Sequence, residues 1–199
     1  MASTETFPIK TLNEVWNWRS INDCKTIKLQ KRGLETYKIS TSQIPQGTIY
    51  DLIRTPKHIQ SPKVMVCHDM KGGYIEDRFK EGCYNLSEEP YRFIHWALID
   101  TFVYFSHHLI TIPPEGWTQA AHKNGVEMLG TIITEFTDGK MICDELLKTK
   151  ETVNEFVNIC CSIAICYGFD GWLLNIENKL DREQVPNMMY LVKKLTEEK

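Results

Sequence analysis

The sequence predicts an α/β fold in which parallel strands alternate with helices. Four nearly continuous apolar runs are each followed by a segment with helical periodicity, a pattern typical of parallel βα units. The polar residues of each run lie at its C-terminal end, which is where both open α/β sheets and βα barrels build their sites. We therefore expect a functional site at the carboxyl edge of one sheet.

The strands and helices can be assigned in order along the chain. The predicted strands are residues 62–69, 101–108, 126–136 and 169–177. The predicted helices are residues 88–100, 118–125, 148–168 and 186–198, with Gly125 and Gly168 as stops and Pro186 in a first turn. Four βα units are fewer than a barrel of about 250 residues needs. The patterns alone leave two alternatives, a small open sheet or half of a longer protein.

The first sixty residues have a weaker pattern and are interpreted as a lead-in segment, residues 1–60. Within it, "TLNEVWNWRS" (11–20) favours an amphipathic helix, and "YKISTSQIPQGTIYD" (37–51) an irregular or strand-like stretch. Residues 61–199 then form the βα region.

Composition excludes several classes of protein. The net charge of -3 is spread along the 199 residues without a basic block, so we expect no nucleic-acid partner. No apolar run reaches the roughly 20 residues needed to span a membrane, and the N-terminus lacks the pattern of a signal peptide. The seven cysteines are odd in number and have no CxxC spacing, which disfavours disulfides and a zinc site. These features predict a cytoplasmic protein without a membrane partner.

The fourth strand run, "FDGWLLNIE" (169–177), carries an amide and a carboxylate two residues apart. Because side chains alternate along a strand, Asn175 and Glu177 are expected to point into the interior from one face, while Trp172, Leu174 and Ile176 pack against helices on the other. Burying polar groups without hydrogen bonds costs roughly 2–7 kcal/mol each. The pair therefore indicates a site, and hydrogen bonds to neighbouring loops are the alternative.

Glycoside hydrolysis is the chemistry that suits this pair. A carboxylic acid can protonate the leaving glycosidic oxygen, but an amide cannot attack carbon as a second carboxylate would. An amide can instead orient the 2-acetamido group of an N-acetylhexosamine so that its carbonyl oxygen attacks C1. Asn175 and Glu177 therefore predict a substrate-assisted glycosidase.

Three longer stretches resemble glycoside hydrolase family 85, the cytosolic endo-β-N-acetylglucosaminidases. They are "CHDMKGGYIEDRF" (67–79), "HWALIDTFVYFSHHLITIPPEGWTQAAHKNGVEMLGTIITEF" (95–136) and "FDGWLLNIEN" (169–178). The resemblance implies a partial (β/α)8 TIM barrel, with residues 61–199 as its first half, about four βα units. It also implies that Glu177 is the general acid/base and that Asn175 orients the acetamide. Chitinases, with Asp-Gly-x-Asp-x-Asp-x-Glu, fit less well because Leu173 replaces the first inner Asp.

The resemblance further implies the reaction and its partners. The substrate would be an N-glycan or free oligosaccharide, cleaved with retention of configuration between the two GlcNAc residues of its N,N'-diacetylchitobiose core. No cofactor and no metal are expected. The family's barrel continues beyond four units, so the alternative is a catalytically inactive truncated isoform or fragment that acts as a glycan-binding or interaction module. No feature of the sequence specifies an oligomeric state.

Further candidate substrate-binding residues lie at or beyond the other strand ends. Tyr74, after two glycines, is expected to swing over the cleft, and Trp117 to face it from a loop. Bracing of a loop is the alternative for Asp69, and a structural hydrogen bond is the alternative for Glu135. Of two adjacent histidines, at most one faces the cleft. The candidates are Asp69, Tyr74, Phe105, His107, Trp117, Glu135 and Phe136.

Overall fold

A computed structural model describes residues 5–19, 62–69, 72–74, 76–78 and 93–197. These residues form a mixed α/β structure around one five-stranded sheet. Four strands are parallel and lie side by side in the order β1, β2, β4, β5, and the two-residue β3 runs antiparallel to β4. The strands are β1 (Met65–Asp69), β2 (Thr101–Phe105), β3 (Ile110–Thr111), β4 (Glu127–Thr134) and β5 (Gly171–Ile176). The predicted α/β class and its parallel strands are confirmed.

The register of the parallel strands aligns their carboxyl ends. Asp69, the last residue of β1, is opposite Phe105, the last residue of β2. On the other side of the sheet, Ile133 of β4 is opposite Asn175 of β5. The side chains that follow these positions therefore meet along one edge, where a site in a parallel sheet is expected.

The two faces of the sheet differ in what covers them. One face belongs to the hydrophobic core, to which Tyr104, Met128 and Ile132 contribute fully buried side chains and Trp172 and Leu174 partly buried ones. The alternate residues Val103 and Ile133 are buried but lie outside this core cluster. Because side chains alternate along strands, these residues mark a second face, which we call the inner face.

Five α-helices are described. They are α1 (Leu12–Asn17), α2 (Glu115–Lys123), α3 (Phe136–Leu146), α4 (Lys150–Tyr167) and α5 (Val185–Glu197). Helix α4 begins at a capping box made by Thr149 and Thr152 and ends at Gly168, whose φ of 73° is left-handed, as the predicted stop requires. Within the described ranges, none of the helices combines the length and apolarity that crossing a bilayer would require.

Several predicted elements differ from the structure. Helix α3 and strand β3 were not predicted. Within the predicted helix 88–100, residues 93–100 contain only a 3₁₀ turn, Trp96–Leu98, and residues 88–92 lie outside the described part. Helix α2 begins three residues before the predicted helix, at Glu115, after Pro114. Of the lead-in predictions, the helix at 11–20 is confirmed as α1, and residues 37–51 lie outside the described part.

The cysteines depart from expectation at one position. Cys67, Cys143 and Cys160 are free thiols. Cys166 is disulfide-bonded, so the expectation that no disulfide forms is wrong at this residue.

Candidate functional site

Asn175 and Glu177 form a contacting pair at the carboxyl end of β5. The Asn175 side-chain Nδ2 donates a hydrogen bond to Glu177 Oε1 at 3.1 Å. The Glu177 backbone N–H donates to the Thr134 carbonyl at 2.9 Å, so the pairing of β4 with β5 continues one residue beyond the strand. Asn175 is half-buried and Glu177 is exposed. The carboxylate therefore lies at an open rim, rather than in the interior as the sequence predicted.

The alternate residues of β5 explain this orientation. Trp172, Leu174 and Ile176 pack against the core cluster, as predicted. Before the strand, the Asp170 carboxylate accepts hydrogen bonds from the Met128 backbone N–H and from His122 Nε2, both at 2.7 Å. These contacts fix the rotation of β5, and alternation then directs Asn175 to the inner face.

His107 joins two acidic residues from different strand ends. Its Nε2 is 3.3 Å from Asp69 Oδ2 and its Nδ1 is 3.3 Å from Glu135 Oε1. Partial burial works to lower the pKa of His107, but the hydrogen bonds and charges of Glu135 and Asp69 outweigh it, so the pKa is raised. A protonated ring can donate to both carboxylates at once.

Glu135 occupies the N-cap position of α3 but makes no capping hydrogen bond with its side chain. Its carboxylate, 16% exposed, turns to His107 instead. Glu135 follows β4 as Glu177 follows β5, and these two strands are paired in register through Thr134 and Ile176. Two carboxylates therefore end neighbouring strands on the inner face.

Two aromatic candidates also lie at this edge. The Phe105 ring contacts His107 edge-to-face, with ring centroids 5.3 Å apart. Phe136, the first residue of α3, is 82% exposed. Of the predicted substrate-binding residues, the strand ends therefore bring together Asp69, Phe105, His107, Glu135 and Phe136.

Tyr74 and Trp117 lie on the other face, contrary to the expected positions. The Tyr74 hydroxyl donates to the Ile112 carbonyl at 2.7 Å, and burial raises the pKa of Tyr74 well above its ordinary value. Trp117 lies in helix α2 rather than in a loop, is 7% exposed, and donates its indole N–H to Asp77 Oδ2 at 2.9 Å. Both rings contact Tyr104 on the core face, so neither joins the inner-face residues.

One residue near the site had no predicted role. The Asn178 side chain donates to the Phe136 carbonyl at 2.7 Å. The only sequence signal for it is its position directly after Glu177. Among the described residues, no three His, Cys, Asp or Glu side chains are placed to hold a metal ion.

Comparison with known proteins gives one family. Residues 74–199 match the model of glycosyl hydrolase family 85. A cytosolic endo-β-N-acetylglucosaminidase 2 of Arabidopsis thaliana is 52% identical over 134 residues, which are 67% of this chain and 19% of that protein. A cytosolic endo-β-N-acetylglucosaminidase of Gallus gallus is 49% identical over 72% of this chain and 20% of its own length. One of Danio rerio is 40% identical over 96% of this chain and 24% of its own length.

The aligned region is a small part of each relative. The chain spans about a fifth of the length of the curated relatives it matches, between 19% and 24% in these three. The matched residues include the ends of β2, β4 and β5, where the candidate site lies.

Proposed function

Because the chain belongs to glycosyl hydrolase family 85, we propose that it carries the acid/base end of an endo-β-N-acetylglucosaminidase site. One observation carries this proposal: Asn175 and Glu177 contact each other on the inner face, at the carboxyl edge of the sheet. We interpret residues 61–199 as the first half of a (β/α)8 barrel, with residues 1–60 as its lead-in. The chain's similarity to cytosolic endo-β-N-acetylglucosaminidases supports a location in the cytosol.

The proposed substrate is the N,N'-diacetylchitobiose core of an N-glycan or free oligosaccharide. In the first step, the Glu177 carboxylic acid gives its proton to the glycosidic oxygen as the C1–O bond breaks. The carbonyl oxygen of the substrate's own 2-acetamido group forms the new bond to C1 from the opposite face. The products of this step are a cyclic oxazolinium and the released alcohol.

In the second step, water opens the oxazolinium. The Glu177 carboxylate takes a proton from the water. The water oxygen bonds to C1 as the bond between C1 and the acetamide oxygen breaks. Two inversions at C1 give net retention of configuration. Neither step requires a metal or a cofactor.

Asn175 is proposed to orient the acetamide. Its Nδ2 donates to Glu177, so the Oδ1 of the same side chain can accept the acetamide N–H. An amide fixed in this way aligns the acetamide oxygen with C1, and such alignment of reacting atoms lowers the barrier.

The remaining inner-face residues are proposed to bind the sugar. Asp69, His107 and Glu135 present hydrogen-bonding groups to hydroxyls, and Phe105 and Phe136 present aromatic rings to pyranose CH groups. Tyr74 and Trp117 are left out of this proposal because their rings contact the core.

The test compares two substitutions on two donors. Glu177→Gln is expected to lower hydrolysis of a chitobiose-core glycan by about 10²–10⁴-fold, the usual contribution of a general acid. Asn175→Ala should impair hydrolysis of the glycan but spare the use of a preformed oxazoline donor, in which the acetamide has already attacked. Glu155→Gln, an exposed carboxylate on α4, is the control and should change neither activity. Equal loss of both activities in Asn175→Ala contradicts the role given to Asn175.

A second candidate function is a module that binds glycans, or another protein chain, without turnover. It is favoured by an exposed apolar side chain at the start of β1, because Met65 is 54% exposed. Calorimetry with N,N'-diacetylchitobiose and size-exclusion chromatography separate the two. Sugar binding by a monomer that shows no turnover supports the module, whereas turnover that is abolished in Glu177→Gln supports the enzyme.

A further inference from the structure

Phe136 combines two unfavourable features at the rim of the candidate site. Its φ of 51° is in the left-handed region, which bulky side chains rarely adopt, and its ring is 82% exposed. Backbone strain of this kind persists where the surrounding structure enforces it, and such residues concentrate at ligand sites. Interactions of the backbone around Phe136, rather than contacts of its ring, must therefore hold the ring in this exposed position.

The side chain of Asn178 is hydrogen-bonded to the backbone of Phe136. Its Nδ2 donates to the Phe136 carbonyl at 2.7 Å, which fixes the peptide that follows the Phe136 Cα. The Oδ1 of the same carboxamide is buried and has no hydrogen-bond partner among the described residues. A buried unpaired carbonyl is uncommon, and here it belongs to the same carboxamide that donates to the Phe136 carbonyl.

Gly139 provides the space that Asn178 occupies. A Cβ at position 139 would collide with the Asn178 carboxamide oxygen and would lie 2.9 Å from the Thr134 carbonyl carbon. The Gly139 N–H donates to the Glu135 carbonyl at 2.9 Å, so the glycine lies in the turn that begins at Phe136. Asn178 supplies the carboxamide, and Gly139, which has no side chain, leaves space for that carboxamide beside α3.

We propose that Asn178 is a positioning residue for a saccharide subsite whose wall is the Phe136 ring. Asn178 directly follows Glu177, so the same strand end supplies the proposed acid and the side chain that directs the ring. A pyranose that packs its CH face on Phe136 would lie beside the Glu135 and Glu177 carboxylates. The inference rests on the proposed function, because its ligand is the saccharide of that site.

The test is a double-mutant cycle on saccharide binding by the full chain. The variants are Asn178→Asp, which keeps the shape but removes the donor, Phe136→Ala, and the two combined. The matched control is Asn187→Asp, because Asn187 Nδ2 donates to the Leu147 carbonyl at 2.8 Å, in a similar bond remote from the site. Affinity for N,N'-diacetylchitobiose is measured by calorimetry, and thermal unfolding is measured for every variant.

If Asn178 acts through the ring, the two substitutions are not additive. Phe136→Ala is expected to weaken saccharide binding about tenfold. Asn178→Asp is expected to weaken it about threefold in the parent protein. In the Phe136→Ala background, Asn178→Asp should cause no further loss of affinity. Asn187→Asp should lower the unfolding temperature and leave affinity unchanged. A threefold loss from Asn178→Asp in both backgrounds overturns the inference and leaves the proposed function standing. No binding by the parent chain overturns the proposed function and the inference together.

Discussion

At the scale of single residues, His107 links the ends of three strands through one imidazole ring. It follows β2, and it contacts Asp69 of β1 and Glu135 after β4. Its other titratable neighbour is His108, whose pKa is lowered by burial first, and then by the charges of Lys10 and His107. Two carboxylates and this imidazole therefore lie together at the carboxyl edge of the sheet, the edge that also carries Asn175 and Glu177.

The contribution of His107 to stability is expected to depend on pH. Its folded-state pKa is raised above its ordinary value of about 6.5. The stabilisation is therefore fully present below about pH 6.5 and is lost as pH rises through the folded-state pKa. His107→Gln should lower the unfolding temperature more near pH 5.5 than near pH 8.5, measured by circular dichroism.

The control for this prediction removes a partner instead of the ring. In a Glu135→Gln background, the loss of unfolding temperature caused by His107→Gln should depend less on pH. One of the two carboxylates that favour the protonated imidazole is then absent. An equal loss of unfolding temperature at both pH values would show that the ring acts through packing alone.

Alternation of side chains predicted the faces of Asn175 and Glu177, because the apolar residues between them must pack against the core. Alternation could not predict the positions of Tyr74 and Trp117. Both were expected in loops, where side chains do not alternate regularly between two faces. Their positions depend on hydrogen bonds to Ile112 and Asp77, which are distant in sequence. The left-handed conformation of Phe136 also had no local signal, because it depends on Asn178.

At the scale of elements, α4 was predicted best because its signals are local. Its apolar residues recur at helical spacing, and Thr149 and Gly168 mark its two ends. Helix α3 was missed because Gly139, Thr137 and Asp138 in its first turns favour loops. Strand β3 was missed because two residues, Ile110 and Thr111, are too short for an alternating pattern.

The cap of α4 gives a test at this scale. The Thr149 hydroxyl accepts from the Thr152 N–H at 3.2 Å, so Thr149→Ala should lower the free energy of unfolding by about 1 kcal/mol. Ser162→Ala within the same helix removes an exposed hydroxyl that donates to the Asn158 carbonyl of the preceding turn, at 2.7 Å. This control should change stability by less than about 0.5 kcal/mol. Urea unfolding followed by circular dichroism measures both, and equal effects would contradict the importance of the cap.

At the scale of the whole molecule, residues 5–18 pack against β3 and helices α3 and α4 and contribute to the core. Ile9 pairs with Ile110 of β3 through two backbone hydrogen bonds, of 3.0 and 2.9 Å. Leu12 and Val15 are buried in the core cluster. The Trp16 indole donates to Glu145 of α3 at 3.0 Å and contacts Phe156 of α4 edge-to-face, with ring centroids 6.2 Å apart.

These contacts predict that the segment unfolds together with the sheet. Leu12 is 5% exposed, and truncating a buried leucine costs about 2–5 kcal/mol, so Leu12→Ala should shift the whole urea transition to lower denaturant concentration. Asn13→Ala, on the exposed side of the same helix, should leave the midpoint nearly unchanged. Far-UV circular dichroism reports mainly on α4 and α5, and tryptophan fluorescence includes Trp16. If Leu12→Ala shifted only the fluorescence transition, the segment would be an independent unit, because a shared core requires both signals to move together.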